Sequence, residues 1–202
     1  MVHADASNFA QGVTKQQAYD HVLLQAEGLF DGQRNWVSFF LGYNPSFCWN
    51  ALPLLSLYEN QYVEEKVDLP WNLGLSLPEP SVHVNWAGFY TLDATAAPEK
   101  PRLILGPFQG KVACQTIYFG RGVCGTAASK QTTQLVRDVD QFPGHIACDG
   151  DSKSEIVVPI VADNKVVAII DIDCAVLDGF DEIDQVALEK LAALLAKSCD
   201  WS

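Results

Sequence analysis

The feature that most constrains the fold of this chain is a pair of apolar segments near its C-terminal end, SEIVVPIV and KVVAIIDIDC. Both segments are rich in valine and isoleucine, whose branched side chains favour strands. The residues Ala162–Asp163–Asn164 between them are typical of a tight turn. Strands joined by so short a connection pair antiparallel, so the sequence predicts a β-hairpin here.

Further strands and helices are predicted around this hairpin. The segments VNWAGFYTL, RLILGPF and QLVRDV have strand character, and GVCGTAASK is a short helix candidate that follows a glycine-rich segment. A helix is predicted after Thr14, which forms a capping-box pattern with Gln17, and a second near residues 47–62. The clearest helix begins after Asp181 as its N-cap. Its apolar stripe comprises Ile183, Ala187, Leu191, Leu194 and Leu195.

This order of elements predicts an α+β fold with a central, mainly antiparallel sheet flanked by N- and C-terminal helices. A chain of 202 residues accommodates one domain with a sizeable core, so we expect a single domain over residues 1–202. Residues 1–13 are predicted to form a loose leader. Residues 63–83 hold several prolines and few periodic apolar positions, which predicts a long loop insertion.

Charge and hydropathy disfavour several classes of partner. The formal net charge is −12, from 13 basic and 25 acidic residues, so the chain repels the phosphates of nucleic acid. No apolar run reaches the length of a membrane span, and the first residues contain no secretory signal. We therefore expect a cytoplasmic protein whose six cysteines are mostly reduced.

Three cysteines in the strand-rich half, Cys114, Cys124 and Cys148, each lie near a glycine or a turn. Such positions let backbone segments approach one another, so three loops could gather these sulfurs at one place. The alternative for each cysteine taken singly is a small core residue. Cys148 differs because its neighbours are polar and acidic. A zinc site that uses His145 and Cys148 is the less favoured alternative, since the chain contains no CxxC pair.

Two carboxylates share one face of the strand KVVAIIDIDC. Residues two apart on a strand point the same way, so Asp171 and Asp173 point away from the core that Ile170 and Ile172 enter. Like charges held close raise the pKa of at least one of them unless a cation joins them. This pattern favours a pocket for a ligand ammonium, to which Glu155 could add a third carboxylate. The alternative is that Asp173 caps a turn and Asp171 pairs with a lysine.

Two aromatic residues of the motif NWAGFY are candidates for the same pocket. Trp86 and Tyr90 are four apart and therefore lie on the same side of a regular strand. A Trp/Tyr pair could form an apolar wall for a small ligand, although core packing explains the pair about equally well.

Taken in order, these segments resemble the free methionine-(R)-sulfoxide reductases, which are single GAF domains. The matching motifs run from about Val84 to the C-terminus: NWAGFY, LGPFQGKVAC, FGRGVCGTAA, DVDQFPGHIACD, SEIVVPI and DID. The N-terminal half resembles the family only as a helical entry, and the loop at residues 63–83 looks longer than the family needs. Cys174 also stands where the family commonly has serine.

The resemblance implies a six-stranded antiparallel sheet with a pocket on one face. It implies that Cys148 attacks the sulfoxide and that Cys114 resolves the intermediate. Cys124 would serve as a further or alternative thiol.

The resemblance also implies a set of substrate-binding residues. Glu155, Asp171 and Asp173 would hold the ammonium of the free amino acid and help to protonate the sulfoxide oxygen. Trp86 and Tyr90 would wall the methyl-sulfoxide end.

Free methionine sulfoxide is therefore the expected substrate and a thioredoxin-type dithiol the expected partner, with electrons drawn from NADPH. Neither a metal nor a bound organic cofactor is expected, and a homodimer is left open. One alternative is a GAF module that binds a small ligand and signals without catalysis. Another is a thiol peroxidase, which the acidic surroundings of Cys148 disfavour because reactive cysteines usually have cationic neighbours.

Overall fold

The computed structural model describes residues 14–30, 84–111, 113–148 and 150–201. Within these ranges the six strands form one antiparallel sheet in the order β3-β2-β1-β6-β5-β4. The helices are α1 (Lys15–Phe30), α2 (Gly122–Lys130) and α3 (Glu182–Ser198), and a 3-10 helix spans Val139–Gln141. The strands are β1 (Val84–Leu92), β2 (Arg102–Gly110), β3 (Thr116–Tyr118), β4 (Gln134–Val136), β5 (Ser154–Ala162) and β6 (Lys165–Cys174).

The predicted α+β fold with a six-stranded antiparallel sheet is confirmed. β5 and β6 form the predicted hairpin, and its turn residues Asp163 and Asn164 have φ values of 49° and 60°. Aspartate and asparagine tolerate this left-handed conformation better than other side chains do, which suits them to a tight hairpin turn. The predicted leader, the loop at residues 63–83 and the helix near residues 47–62 lie outside the described residues.

Two short strands mark where the pattern analysis was incomplete. QLVRDV contributes only the three residues of β4, because the chain leaves the sheet at Arg137 and forms the 3-10 helix from Val139. β3 was not predicted from the sequence pattern, since a strand of three residues is too short to show an alternation of apolar and polar positions.

The sheet separates two apolar layers. On one face α1 and α3 cover Ala168, Ile170 and Ile172 of β6. On the other face Ile169 of β6 packs in the cluster that α2 covers. Alternate residues of β6 thus enter opposite layers, and the carboxylates of this strand lie on the α2 side.

The apolar stripe predicted for α3 is confirmed for Ala187, Leu191 and Leu195, which are buried. It is wrong for Ile183, which is 41% exposed. The buried position in the first turn belongs instead to Asp184, which accepts hydrogen bonds from Lys15 and from Tyr19 of α1. A polar side chain fits this buried position because the two donors satisfy it, and they join α1 to the start of α3.

No helix in the described part of the chain has the length and hydropathy that crossing a bilayer requires.

Candidate active site

Three carboxyl groups meet on the α2 side of the sheet because of the strand register. Asp173 of β6 lies opposite Trp86 of β1 and opposite Glu155 of β5, so the three residues form one row across adjacent strands. Asp171 lies in the next row, opposite Gly88. Directly opposed residues of antiparallel strands project to the same face, which gathers the acids beside the indole of Trp86.

Gly88 has no side chain, and the neighbouring aromatic residues occupy the space that a side chain would need. A Cβ atom at this position would lie 2.6 Å from the six-membered ring of Trp86 and 2.5 Å from Cβ of Phe108, so no larger residue fits without rearrangement. The indole stacks between Tyr90 and Phe108, with ring centroids 5.8 Å and 5.6 Å away. Trp86 and Tyr90 are both buried and lie on the same side of β1, as predicted.

Helix α2 places the thiol of Cys124 against the carboxyl groups. Gly125 packs against the backbone carbonyl of Tyr118, where a side chain would clash, so the helix approaches β3 closely. The thiol of Cys124 donates a hydrogen bond to Oδ2 of Asp171 at 3.0 Å and lies 3.5 Å from Oε1 of Glu155.

Burial sets the protonation of this cluster. Burial, followed by the charges of Asp171 and Asp173, raises the pKa of Glu155 well above its ordinary value. Burial also raises the pKa of Asp171 to about 6, while hydrogen bonds with Cys124 and Glu155 lower it. The pKa of the Cys124 thiol is raised by burial and then by the nearby carboxylates. Burial therefore favours the protonated forms of Glu155 and Cys124 more strongly than that of Asp171, whose pKa of about 6 lies below neutral pH.

Two buried polar atoms of the cluster have no hydrogen-bond partner within the described residues: Oδ1 of Asp171 and Nε1 of Trp86. Leaving such an atom unsatisfied costs about 1–3 kcal/mol, so native proteins seldom leave one without a purpose. A bound ligand with a donor and an acceptor would satisfy both.

The other two predicted cysteines are joined to each other. A disulfide links Cys114, between β2 and β3, to Cys148 in the segment before β5, with the two Cα atoms 5.6 Å apart. The ion pair of Lys111 with Asp151, at 2.6 Å, spans the same two segments. It is exposed and contributes little to stability.

A cavity of about 260 Å³ lies among these groups, and its lining includes every predicted site residue. The sequence prediction had placed these residues on separate strands and loops, and the fold brings them to one place. They are Trp86, Tyr90, Cys114, Cys124, Cys148, Glu155, Asp171 and Asp173.

The zinc alternative does not match the potential metal ligands that the fold gathers. Among the described residues, the group whose ligand atoms lie within 4.8 Å of one another is Cys124, Glu155 and Asp171, without His145 or Cys148. His145 lines the cavity, and its backbone N–H donates to the carbonyl of Phe142.

Sequence reasoning overlooked several residues that line the cavity, among them Arg121, Tyr118, Ile146 and Ser152. Only Arg121 carried a usable signal, because it is a cation between two glycines in an acidic chain. Cys174 is buried in the opposite apolar layer, against Gly179, and lies away from the cavity.

Comparison with known proteins places this geometry in a family. The GAF domain family matches residues 83–198. The free methionine-R-sulfoxide reductase of Saccharomyces cerevisiae is 48% identical, over 98% of this chain and 94% of that protein. The enzyme of the same name from Escherichia coli is 47% identical, over 62% of this chain and 73% of that protein.

Solved structures agree with this comparison. The free methionine-R-sulfoxide reductase of Neisseria meningitidis in complex with its substrate superimposes with a TM-score of 0.72 at 34% identity, over 98% of this chain and 95% of that one. The reduced form of the Staphylococcus aureus fRMsr gives a TM-score of 0.66 at 36% identity, over 93% of this chain and 96% of that one. The chain therefore belongs to the free methionine-R-sulfoxide reductase family of GAF-domain proteins.

Proposed function

We propose that this protein reduces free methionine (R)-sulfoxide to methionine by thiol chemistry. The observation that carries the proposal is that the bonded pair Cys114 and Cys148 lines the same cavity as the acid cluster and the Trp86–Tyr90 wall. The names of the relatives supply the substrate class.

In the proposed first step the thiol of Cys148 attacks the sulfur of the sulfoxide. Glu155 is the proposed proton donor to the sulfoxide oxygen, because burial and neighbouring charges raise its pKa well above the ordinary value and so favour the protonated acid. The sulfur–oxygen bond of the substrate breaks and the oxygen passes to Cys148. Methionine is released, and Cys148 is left as a sulfenic acid. Its sulfur is then two electrons more oxidised than in the thiol, and the sulfoxide sulfur has gained those two electrons.

The second proposed step forms the disulfide. The thiol of Cys114 condenses with the sulfenic acid of Cys148, which releases water and gives the bond between these residues. Cys124 is the proposed alternative thiol. Its hydrogen bond to Asp171 and its raised pKa favour the neutral form, so we propose that it stays reduced in the normal cycle.

Asp171 and Asp173 are the proposed partners of the substrate ammonium. Oδ1 of Asp171 is buried and has no hydrogen-bond partner within the described residues, so it can accept from a ligand donor. Trp86 and Tyr90 are the proposed wall for the methyl-sulfoxide end. A bound ammonium would also neutralise the negative charge of Asp171, which is costly to bury without a cation.

A thioredoxin-type dithiol that draws its electrons from NADPH is the proposed reductant. Cys114 and Cys148 are half-buried, so a protein thiol can reach the bond they form. No bound cofactor takes part in the proposed cycle. A cytoplasmic location, in which such reductants operate, and a homodimer remain part of the proposal.

A coupled NADPH and thioredoxin assay on the separated diastereomers tests this function. We expect the (R)-sulfoxide of free methionine to be reduced at least about 100-fold more efficiently than the (S)-sulfoxide, because only one diastereomer can present oxygen to the acids and sulfur to Cys148 together. Replacing the sulfoxide by hydrogen peroxide is the control. Preferred turnover of peroxide would identify a peroxidase, and ligand binding without turnover would identify a sensor.

A further inference from the structure

We propose that Cys124, Glu155 and Asp171 form a binding site for one zinc ion in the wall of the cavity. Within the described residues, their ligand atoms all lie within 4.8 Å of one another. The three side chains come from three regular elements, namely α2, β5 and β6. Side chains held by helices and strands keep their positions more precisely than side chains on loops do, so the ligands are arranged before a metal arrives.

The distances between these atoms approach those of a tetrahedral zinc site. Sγ of Cys124 lies 3.0 Å from Oδ2 of Asp171 and 3.5 Å from Oε1 of Glu155. With bonds of about 2.3 Å to sulfur and about 2.1 Å to oxygen, a tetrahedral ion separates a sulfur ligand from an oxygen ligand by roughly 3.6 Å. A small widening of the contact between Cys124 and Asp171 would therefore admit the ion.

One oxygen of this group indicates, independently of the distances, that a ligand binds here. Asp171 is only 5% exposed and lines the cavity, and its Oδ1 has no hydrogen-bond partner within the described residues. A buried carboxylate oxygen without a partner is costly, so its presence indicates a ligand that supplies a donor or a positive charge. A divalent cation supplies that charge and can be bound by either oxygen of the carboxylate.

The thiol determines which metal the site favours. Mg²⁺ and Ca²⁺ take oxygen ligands, whereas a cysteine thiolate beside carboxylates suits Zn²⁺. When zinc binds, the S–H bond of Cys124 breaks, its proton passes to the solvent and a zinc–sulfur bond forms without any change of oxidation state. The ion thus replaces the proton that Cys124 donates to Asp171. A water molecule from the cavity can take the fourth position.

Oxidation of the other two cysteines of the cavity leaves this site intact. Cys124 is a free cysteine in the structure, in which the disulfide joins Cys114 to Cys148. In this form neither of the bonded cysteines has a thiol that could hold the metal. A bound zinc would occupy the place proposed for the substrate ammonium, so metal and substrate would exclude each other. That consequence rests on the function proposed above, whereas the site itself does not.

A zinc titration of the disulfide form tests the site without any substrate. Zn²⁺ is titrated in competition with a chromophoric chelator, and we expect one ion to bind per chain. Cys124→Ser should lower the affinity by at least about 100-fold and Asp171→Asn by at least about 10-fold, because each variant removes one ligand. Co²⁺ in place of Zn²⁺ should give a sulfur-to-cobalt charge-transfer band in the near ultraviolet that Cys124→Ser lacks. A large excess of Mg²⁺ should not displace the ion.

The matched control is Cys199→Ser, which removes a half-buried free thiol at the C-terminal end of α3. It should change zinc affinity by less than about twofold, because this cysteine packs in the opposite apolar layer. Absence of zinc binding, full affinity in Cys124→Ser, or cobalt bound without the sulfur band would overturn the site. These results leave the proposed function untouched, and a protein that binds zinc as expected but does not reduce the sulfoxide would overturn that function alone.

Discussion

Cys148→Ser should lower the rate of methionine formation by at least about 1,000-fold, because a serine hydroxyl cannot accept the sulfoxide oxygen. Sulfur is both the nucleophile and the atom that becomes oxidised in the proposed first step. Cys148 is half-buried on the segment before β5, so replacing one sulfur atom by oxygen should leave the fold unchanged. Methionine released over time, with and without a dithiol, measures the effect.

Cys114→Ser is the matched variant, since it removes the other half of the same disulfide. Without external reductant it should release one methionine per chain and then stop, with Cys148 oxidised either as a sulfenic acid that a dimedone label detects or in a disulfide with the alternative thiol Cys124. Cys124→Ser should still form the Cys114–Cys148 bond. Full activity of Cys148→Ser, or a complete loss of the first turnover in Cys114→Ser, would show that the roles of these cysteines are assigned wrongly.

Asp171→Asn should stabilise the protein and at the same time lower kcat/KM by about 100-fold, because it removes the proposed partner of the ammonium. Burial raises the pKa of Asp171 to about 6 from the ordinary value of 3.8. The folded state therefore holds its proton up to a higher pH than the unfolded state does. Stability falls as pH rises from about 4 to about 6, and the penalty is fully present above pH 6.

The size of the stability effect follows from that pKa. At about 1.4 kcal/mol for each pKa unit, the shift of about two units corresponds to roughly 3 kcal/mol as an upper value for the gain in Asp171→Asn at pH 7. The gain should shrink toward zero near pH 4, where the native carboxyl is already protonated. Denaturant unfolding at both pH values measures it.

The matched control for this variant is Asp20→Asn, which changes an exposed carboxylate on α1. It should alter the free energy of unfolding by less than about 0.5 kcal/mol at either pH. A loss of stability in Asp171→Asn at pH 7 would contradict the unfavourable burial of this carboxylate. Unchanged kcat/KM would contradict its role in binding the ammonium.

The strand alternation predicted the face on which the acids lie, and the cross-strand pairing had to come from the fold. Valine and isoleucine at alternate positions assign Asp171 and Asp173 to one side of β6, because period-two burial is a local property. The position of Asp173 between Trp86 and Glu155 depends on the register of three strands. Register is a long-range property that one segment does not encode alone.

Helix ends and loops were harder to predict for a related reason. The pattern for α3 assigned Ile183 to the core, and Asp184 took that place because Lys15 and Tyr19, distant in sequence, satisfy its carboxylate. Tertiary contacts of this kind override hydrophobic periodicity. The position of Arg121 at the cavity likewise depends on where α2 packs against β3, so its motif GRG marked the residue without placing it at the cavity.

Fully reduced protein mixed with one equivalent of free methionine (R)-sulfoxide, in the absence of any other thiol, should release one equivalent of methionine. Mass spectrometry of the digested product should then find Cys114 linked to Cys148, with Cys124 carrying a free thiol. No methionine, or methionine formed without oxidation of Cys148, would contradict the proposed thiol chemistry.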